Sequence, residues 1–483
     1  MSKNDYDIAM IGLGVMGRNL VLNMIDQGFS VAGYDKDEQK VRKLVEQVEQ
    51  DKKESVLGAH SLEQVVEAVR KPRAVMMLLP AGPTVDKVIQ SLQPLLEEGD
   101  LIIDGGNSHF VDTDRRAKSL DQAGIAYLGV GISGGEKGAR FGPSMMPGGP
   151  KDAYQRVAPI FEPAAAQVGG DPCVTYLGPG SAGHYVKMVH NGIEYGLMQL
   201  IAETYDLMKN VLGMSNEELH GVYEEWNQNE LDSYLMEITA NIFQHIDEKT
   251  GKYLIDLIVE EAEQKGTGMW ASQDAMNLGE PLPTIDVAVA SRNMSDKTKQ
   301  REQAAKMYSG PTIAYEGDKS VFQDHIRRAL YAGAIITYAQ GMSQLRVASA
   351  QYDYNLNLAD IARIWRGGCI IRAALLEDIR KAYHAHPDLP NLLLDKGFGE
   401  KISQRQGDLR FVVNEAVRMG IPVPGLMTAL AYLDSYRRAW YPANLIQAQR
   451  DYFGAHQYER LDKEGQFHTQ WQPVREDAET AGV

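Results

Sequence analysis

Lys187, His190, Asn191, Glu194 and Tyr195 stand at i, i+3, i+4, i+7 and i+8, which is one face of a helix. Val186, Val189, Ile193, Leu197 and Leu200 form an apolar stripe beside it. The segment therefore has one side for a core and another carrying an amine, an imidazole, an amide, a carboxylate and a phenol. A solvated or interface face would carry Lys and Glu for solubility; His, Asn and Tyr in the same row are unusual there. The sharper reading is proton transfer, with Lys187 as base and Glu194 as acid two turns apart.

A second group of residues suits a dinucleotide. Gly12-Leu13-Gly14-Val15-Met16-Gly17 follows an apolar run and opens a helical stretch, and Asp35-Lys36 closes the next apolar run. The glycines permit a tight turn and close approach to a pyrophosphate, the helix N-terminus receives it, and an acidic residue about twenty positions on meets the ribose. Asp35 accepts hydrogen bonds from ribose hydroxyls and repels a 2′-phosphate, which favours NAD over NADP as cofactor. Lys36 softens that repulsion and Asp37 adds to it.

Further polar loops could meet a substrate. Asp104-Gly105-Gly106-Asn107-Ser108 and the 131–140 segment, with Ser133, Gly134 and Gly135, each follow a predicted strand, where ligands sit in open α/β sheets. Lys265-Gly266-Thr267-Gly268 offers an ammonium, a hydroxyl and free amides, a plausible phosphate seat. Arg292 lies downstream, and Arg450 and His456 flank an aromatic stretch near the C-terminus. Taken singly, these are also tight turns and surface charges. Together with the Lys187 face they suit a substrate bearing a carboxylate and a phosphate.

The elements that must position these groups follow from periodicity. Strands are predicted over 7–11, 30–34, 74–79, 101–103 and 125–130, with helices such as 16–27 and 85–96 between them. That alternation predicts a parallel sheet with helices on both faces. Beyond Gly178-Pro179-Gly180-Ser181 strand signals fade and helical periodicity runs through 183–212, 319–348 and 410–439. The expected fold class is an α/β N-terminal Rossmann-like dinucleotide-binding domain over 1–181, a large all-α substrate and dimerisation domain over 182–438, and an extended C-terminal tail over 439–483. The tail is polar, aromatic and short of periodicity, and is read as reaching a partner subunit.

A net charge of −16 without a Lys/Arg run argues against nucleic acid and acidic membrane surfaces as partners. Two cysteines, with no Cys-x-x-Cys and no His cluster, argue for a reducing compartment and against a structural zinc site. No signal peptide and no membrane-spanning apolar run is read, so a soluble cytoplasmic protein is expected.

Taken together these motifs resemble the decarboxylating 6-phosphogluconate dehydrogenases in their long two-domain form. The resemblance runs end to end and is carried by 104–108, by Ser133-Gly134-Gly135-Glu136 through Met146-Pro147-Gly148-Gly149, by 183–195, by 264–268 and by 449–456. It implies oxidation of 6-phosphogluconate at its carbon-3 hydroxyl by a nicotinamide cofactor, loss of carbon dioxide and tautomerisation to ribulose 5-phosphate, with no metal. It implies that Lys187 takes the hydroxyl proton, and so must be neutral despite an ordinary pKa of about 10.4; desolvation and nearby cations would lower it. Protonated Lys187 then donates to the ketone oxygen as the carboxylate departs, and Glu194 protonates carbon 1 of the enediol.

By the same resemblance Asn107, Ser133, Gly134, Gly135, His190 and Asn191 hold the carboxylate and hydroxyl end. Tyr195, Lys265, Thr267 and Arg292 hold the phosphate, and Arg450 and His456 reach it from the neighbouring subunit of a homodimer. Leu79, Pro80, Ala81 and Asn107 join the glycine loop around the cofactor. Three positions depart from the family pattern. NADP-using members usually carry Asn-Arg-Thr in place of Asp35-Lys36-Asp37 and Lys in place of Pro80, while Met269 stands where a second lysine is common. The first two departures remove donors from the place of a 2′-phosphate and favour NAD.

Two other readings stay open at this point. Another β-hydroxyacid dehydrogenase would share the Rossmann domain and the lysine but lack the phosphate-binding set and the tail. A non-catalytic nucleotide-binding regulator would not need Lys187 and Glu194. The pathway, oxidative pentose phosphate metabolism or gluconate breakdown, is also open.

Overall fold

The computed structural model describes residues 6–264 and 266–471. Seven strands make the principal sheet: β1 (Ile8–Ile11), β2 (Val31–Tyr34), β3 (Val56–Gly58), β4 (Ala74–Met77), β5 (Leu101–Asp104), β6 (Ala126–Ser133) and β7 (Ser144–Gly148). Their order is β3-β2-β1-β4-β5-β6-β7. All neighbours pair in parallel except β6 and β7, which are antiparallel. The central strands are buried at every position, as expected where helices cover both faces. Successive residues serve opposite cores: Ile8, Met10 and Met76 join Leu20 and Met24 of α1 (Val15–Asp26), whereas Ala9, Ile11 and Val75 join Val85 and Ile89 on the other face.

Helix α2 (Gly135–Phe141) connects β6 to β7. Helix α3 (Ala182–Asp206) then lies with its first turns on β6 and β7 and its remainder against α4 (Thr267–Leu278), α5 (Pro283–Ser295) and α6 (Lys319–Gln351). The approach to the sheet needs glycine: a Cβ on Gly183 would lie 2.3 Å from the Gly129 carbonyl oxygen, and one on Gly131 would lie 2.3 Å from Cβ of Lys187. So α3 serves as the shared wall of sheet and helical layer.

The predicted strands and helices recur with shifted ends, and three features differ. β3 and β7 were not expected; β3 has only three residues, and β7 is interrupted in pattern by Pro147 and Gly148. The single helix expected over 410–439 is two, Gln406–Met419 and Pro424–Tyr436. Gly420 closes the first in a left-handed conformation at φ +73°, and the Pro422–Pro424 stretch cannot continue it.

Two compact units are present, Met1–Leu430 and Ala431–Val483. The second is not the aperiodic tail that was expected. It contains α7 (Ala443–Gly454) and an antiparallel pair, Tyr458–Glu459 with Gln466–Phe467. Its centre is Asp451, fully buried, whose carboxylate accepts from Gln457 N, Thr469 N and Trp471 Nε1 and meets His468 Nδ1 at 2.9 Å. Burial alone would raise this carboxyl, but the hydrogen bonds outweigh it and hold it well below the usual carboxylate range. Among the described residues, no helix is long and apolar enough to cross a membrane.

Candidate active site

The nucleotide end is built on backbone. Gly12 has φ +95°, and a Cβ there would lie 2.4 Å from the Leu78 carbonyl oxygen; one on Gly17 would lie 2.0 Å from the Gly12 oxygen. No side chain caps α1, whose N-cap is Gly14, so the amides of its first turn remain available to an anion. Val15 is exposed, whereas the Leu13 side chain belongs to the core and only its N–H faces Asp35. Asp35 accepts from Leu13 N at 2.8 Å and from Asp37 N at 3.0 Å. Lys36 is exposed, but Lys40 comes within 3.6 Å of the Asp35 carboxylate. This donor set fits a dinucleotide: two glycines without room for a Cβ, an uncapped helix start and a carboxylate at the end of β2.

A cleft of about 760 Å³, open to solvent, adjoins this loop. Met16, Leu79, Pro80, Ala81 and Asn107 line its cofactor side. Ser133, Gly134 and Gly135 come from the end of β6; Lys187, Asn191, Glu194 and Tyr195 from α3; Thr267 and Arg292 from α4 and α5. Residues from across the chain thus converge on one cavity. Lys265 falls outside the described residues. Arg450 and His456 belong to the second unit; within it Arg450 donates to Gln447 Oε1 and the His456 ring meets Phe453 edge-on.

The row on α3 is as the spacing predicted. Lys187 Nζ donates to Asn191 Oδ1 at 2.8 Å and lies 3.3 Å from His190 Nδ1. His190 is fully buried behind the cleft wall, its Nε2 3.2 Å from Ser133 Oγ and its Nδ1 3.9 Å from Glu194 Oε2. Burial pushes the Lys187 ammonium pKa down, against the opposing pull of Glu194. Burial pushes the Glu194 carboxyl up, against Lys187 and Arg292. His190 is driven well below its ordinary value, first by burial and then by Lys187, so it stays neutral. The Arg292 guanidinium stacks 3.5 Å from the Tyr195 ring centroid, within cation–π range.

The loop presenting Asn107 is held from below. Asp104, fully buried, accepts from Gly106 N at 3.0 Å, Ser108 Oγ at 2.6 Å and Tyr127 OH at 2.9 Å, with Arg116 Nη1 at 3.5 Å. Sequence reasoning missed Trp270 and Glu263, which also line the cleft, and Ile370, whose N–H donates to Ser133 Oγ at 3.4 Å. Trp270 stands one turn beyond Thr267 and could have been found by helical spacing; Ile370 carried no local signal. Among the described residues, no group of three or more His, Cys, Asp or Glu could hold a metal ion.

A buried lysine and a half-buried glutamate on one helix face, beside a dinucleotide loop, can move protons in both directions around a hydride transfer. Comparison with known proteins narrows this. The model of the NAD binding domain of 6-phosphogluconate dehydrogenase matches residues 7–178, and that of the 6-phosphogluconate dehydrogenase C-terminal domain matches 183–471. The NADP(+)-dependent, decarboxylating 6-phosphogluconate dehydrogenase of Bacillus subtilis is 52% identical over 472 residues, covering 98% of this chain and 100% of the relative. The decarboxylating enzyme of Escherichia coli is 50% identical over 472 residues with the same coverage. Among solved structures, the Plasmodium falciparum 6-phosphogluconate dehydrogenase, studied apo, with its cofactor NADP+ and with its substrate 6-phosphogluconate, superposes with a TM-score of 0.92 at 44% identity, covering 96% of this chain and 100% of that one. With both its halves matched and the α3 row intact, the chain belongs to the 6-phosphogluconate dehydrogenase family.

Proposed function

We propose that the protein catalyses oxidative decarboxylation of 6-phospho-D-gluconate to D-ribulose 5-phosphate and carbon dioxide, with reduction of a nicotinamide dinucleotide. The observation that carries this is the opposite displacement of two acids on one helix face: burial favours neutral amine at Lys187 and neutral carboxylic acid at Glu194. These are the forms a general base and a general acid must start in.

The dinucleotide supplies the hydride acceptor when bound. Lys187 Nζ takes the carbon-3 hydroxyl proton and returns it to the same oxygen as the carboxylate departs, stabilising the developing enolate. Glu194 delivers its proton to carbon 1. Asn107, Ser133, Gly134, Gly135, His190 and Asn191 hold the carboxylate and hydroxyls; Tyr195, Lys265, Thr267 and Arg292 hold the phosphate. Initial-rate assays with 6-phosphogluconate test the proposal, and absence of turnover with either dinucleotide refutes it.

Within that reading NAD is the proposed preferred cofactor, supported by the Asp35 carboxylate at the ribose position and by Pro80 in the cleft. NADP is the competing reading: the Bacillus subtilis relative is described as NADP(+)-dependent, and Lys40 partly offsets Asp35. The ratio of kcat/KM for NAD and NADP decides between them. Arg450 and His456 are proposed to complete the site of the other subunit in a homodimer. Mixing Arg450→Ala and Lys187→Arg proteins should then restore activity in hybrid dimers that neither parent has. The two cysteines, buried and unpaired, support a reducing, cytoplasmic setting.

A further inference from the structure

His109 lies two residues past Asn107, and Trp270 lies one helical turn past Thr267. Their rings meet edge to face, centroids 4.8 Å apart at 78°. Trp270 lines the same cleft as Asn107 and Thr267. The contact is braced on both sides. Phe110, its ring tilted beside that of His109 at 4.9 Å, packs against Tyr185 at 5.0 Å and Tyr352 at 5.5 Å. Asp274, one turn beyond Trp270 on α4, is buried and accepts from Tyr185 OH at 2.5 Å and Tyr352 OH at 2.8 Å. The same two tyrosines thus grip the chain beside His109 and the helix that carries Trp270. The Asn107 loop and α4 are held at one separation by a strut of rings.

On the reading above, Asn107 meets the carboxylate and hydroxyl end of the substrate and Thr267 meets its phosphate. We propose that the His109–Trp270 contact is a ruler for substrate length, setting the reach between those two ends to a six-carbon phosphorylated sugar acid. Both are positioning residues. Removing one carbon shortens the chain by roughly one bond, about 1.5 Å, and a misplacement of about 1 Å can cost on the order of 100-fold in rate. A rigid strut therefore converts a small difference in length into a large preference; a floppy one adapts to either ligand.

The test uses the full-length protein and its His109→Ala, Trp270→Leu and His109→Phe variants. It measures KM and kcat for 6-phosphogluconate, the inhibition constant of the five-carbon 5-phosphoribonate, and KM for the dinucleotide. In His109→Ala and Trp270→Leu, KM for the six-carbon acid should rise about 10-fold while the inhibition constant changes less than about threefold, so the preference narrows. His109→Phe keeps a ring and should keep both the preference and the dinucleotide KM; in His109→Ala and Trp270→Leu the dinucleotide KM, which the Asn107 loop also serves, should rise less than the KM for the six-carbon acid. Equal weakening of both acids, no change in either, or His109→Phe matching His109→Ala would overturn the ruler. The alanine and leucine variants approach the contact from opposite sides, so a folding failure in one leaves the other. Failure of the unmodified protein to turn over 6-phosphogluconate would instead overturn the function on which the ruler rests.

Discussion

Lys187 and Asn191, one helical turn apart, are joined by a 2.8 Å hydrogen bond from Nζ to Oδ1 at a place where both are almost sealed from water. The partner is a neutral amide. It orients the amine without supplying the negative charge that would hold it protonated, so burial can keep Lys187 a base.

Asn191→Asp removes that distinction. A carboxylate at the same position favours the ammonium and raises the Lys187 pKa, so the acidic limb of the kcat/KM–pH profile should move to higher pH. At a fixed pH below the limb, moving it up by about one pH unit lowers kcat/KM about 10-fold. An unmoved limb would show that Lys187 is not the titrating base.

Lys187→Arg and Glu194→Gln should separate the two proton transfers. The first removes the base for the hydroxyl proton and should cut hydride transfer by about 10²–10⁴-fold. The second should leave a pre-steady-state burst of reduced dinucleotide and suppress exchange of the carbon-1 hydrogen of ribulose 5-phosphate with labelled water. Parallel loss of burst and exchange in Glu194→Gln would remove the acid role.

Gly131→Ala should damage the site without touching a polar group. Its Cβ would fall 2.3 Å from Cβ and 2.9 Å from Cγ of Lys187, so either the base or α3 must shift. Overpacking of this kind destabilises by about 1–3 kcal/mol. The expected result is a lower Tm together with a kcat loss greater than the KM change; an unaltered kcat would mean that the helix yields without moving Nζ.

Glu203 should govern part of the stability–pH dependence. Its carboxylate, at the far end of α3, is buried and accepts from Gln199 Nε2, Gly425 N and Leu426 N. Burial pushes it up to about 7, against those hydrogen bonds. An acid raised on folding contributes its full stability below its unfolded pKa and loses it as pH rises toward and through about 7. The loss by pH 8 is on the order of 3 kcal/mol. Thermal unfolding from pH 5 to pH 8 should show a falling Tm that Glu203→Gln flattens; parallel curves for the two proteins would discount the effect.

Much of the site was legible because its signals are local. The glycine fingerprint, the Asn107 and Ser133 loops and the α3 row are each written within a short span, where spacing alone decides which side chains share a turn or a face. Lys40 reaching Asp35, Ile370 reaching Ser133 and His109 meeting Trp270 are contacts between distant segments, and no periodicity encodes a partner. The aromatic C-terminal stretch read as aperiodic because its order comes from Asp451, whose acceptor role is visible only once its donors are gathered around it.

By itself, the sequence determined which chemistry-bearing residues stand on one helix, which loops end strands, and that a sheet precedes a helical layer, since local periodicity and glycine geometry follow from backbone sterics. Only the tertiary structure decided which way the proton affinities of Lys187 and Glu194 shift. Lys187 and Glu194 are ordinary ionisable side chains on an isolated helix; packing α3 between the sheet and its helical neighbours withdraws water from both, and that desolvation moves one down and the other up.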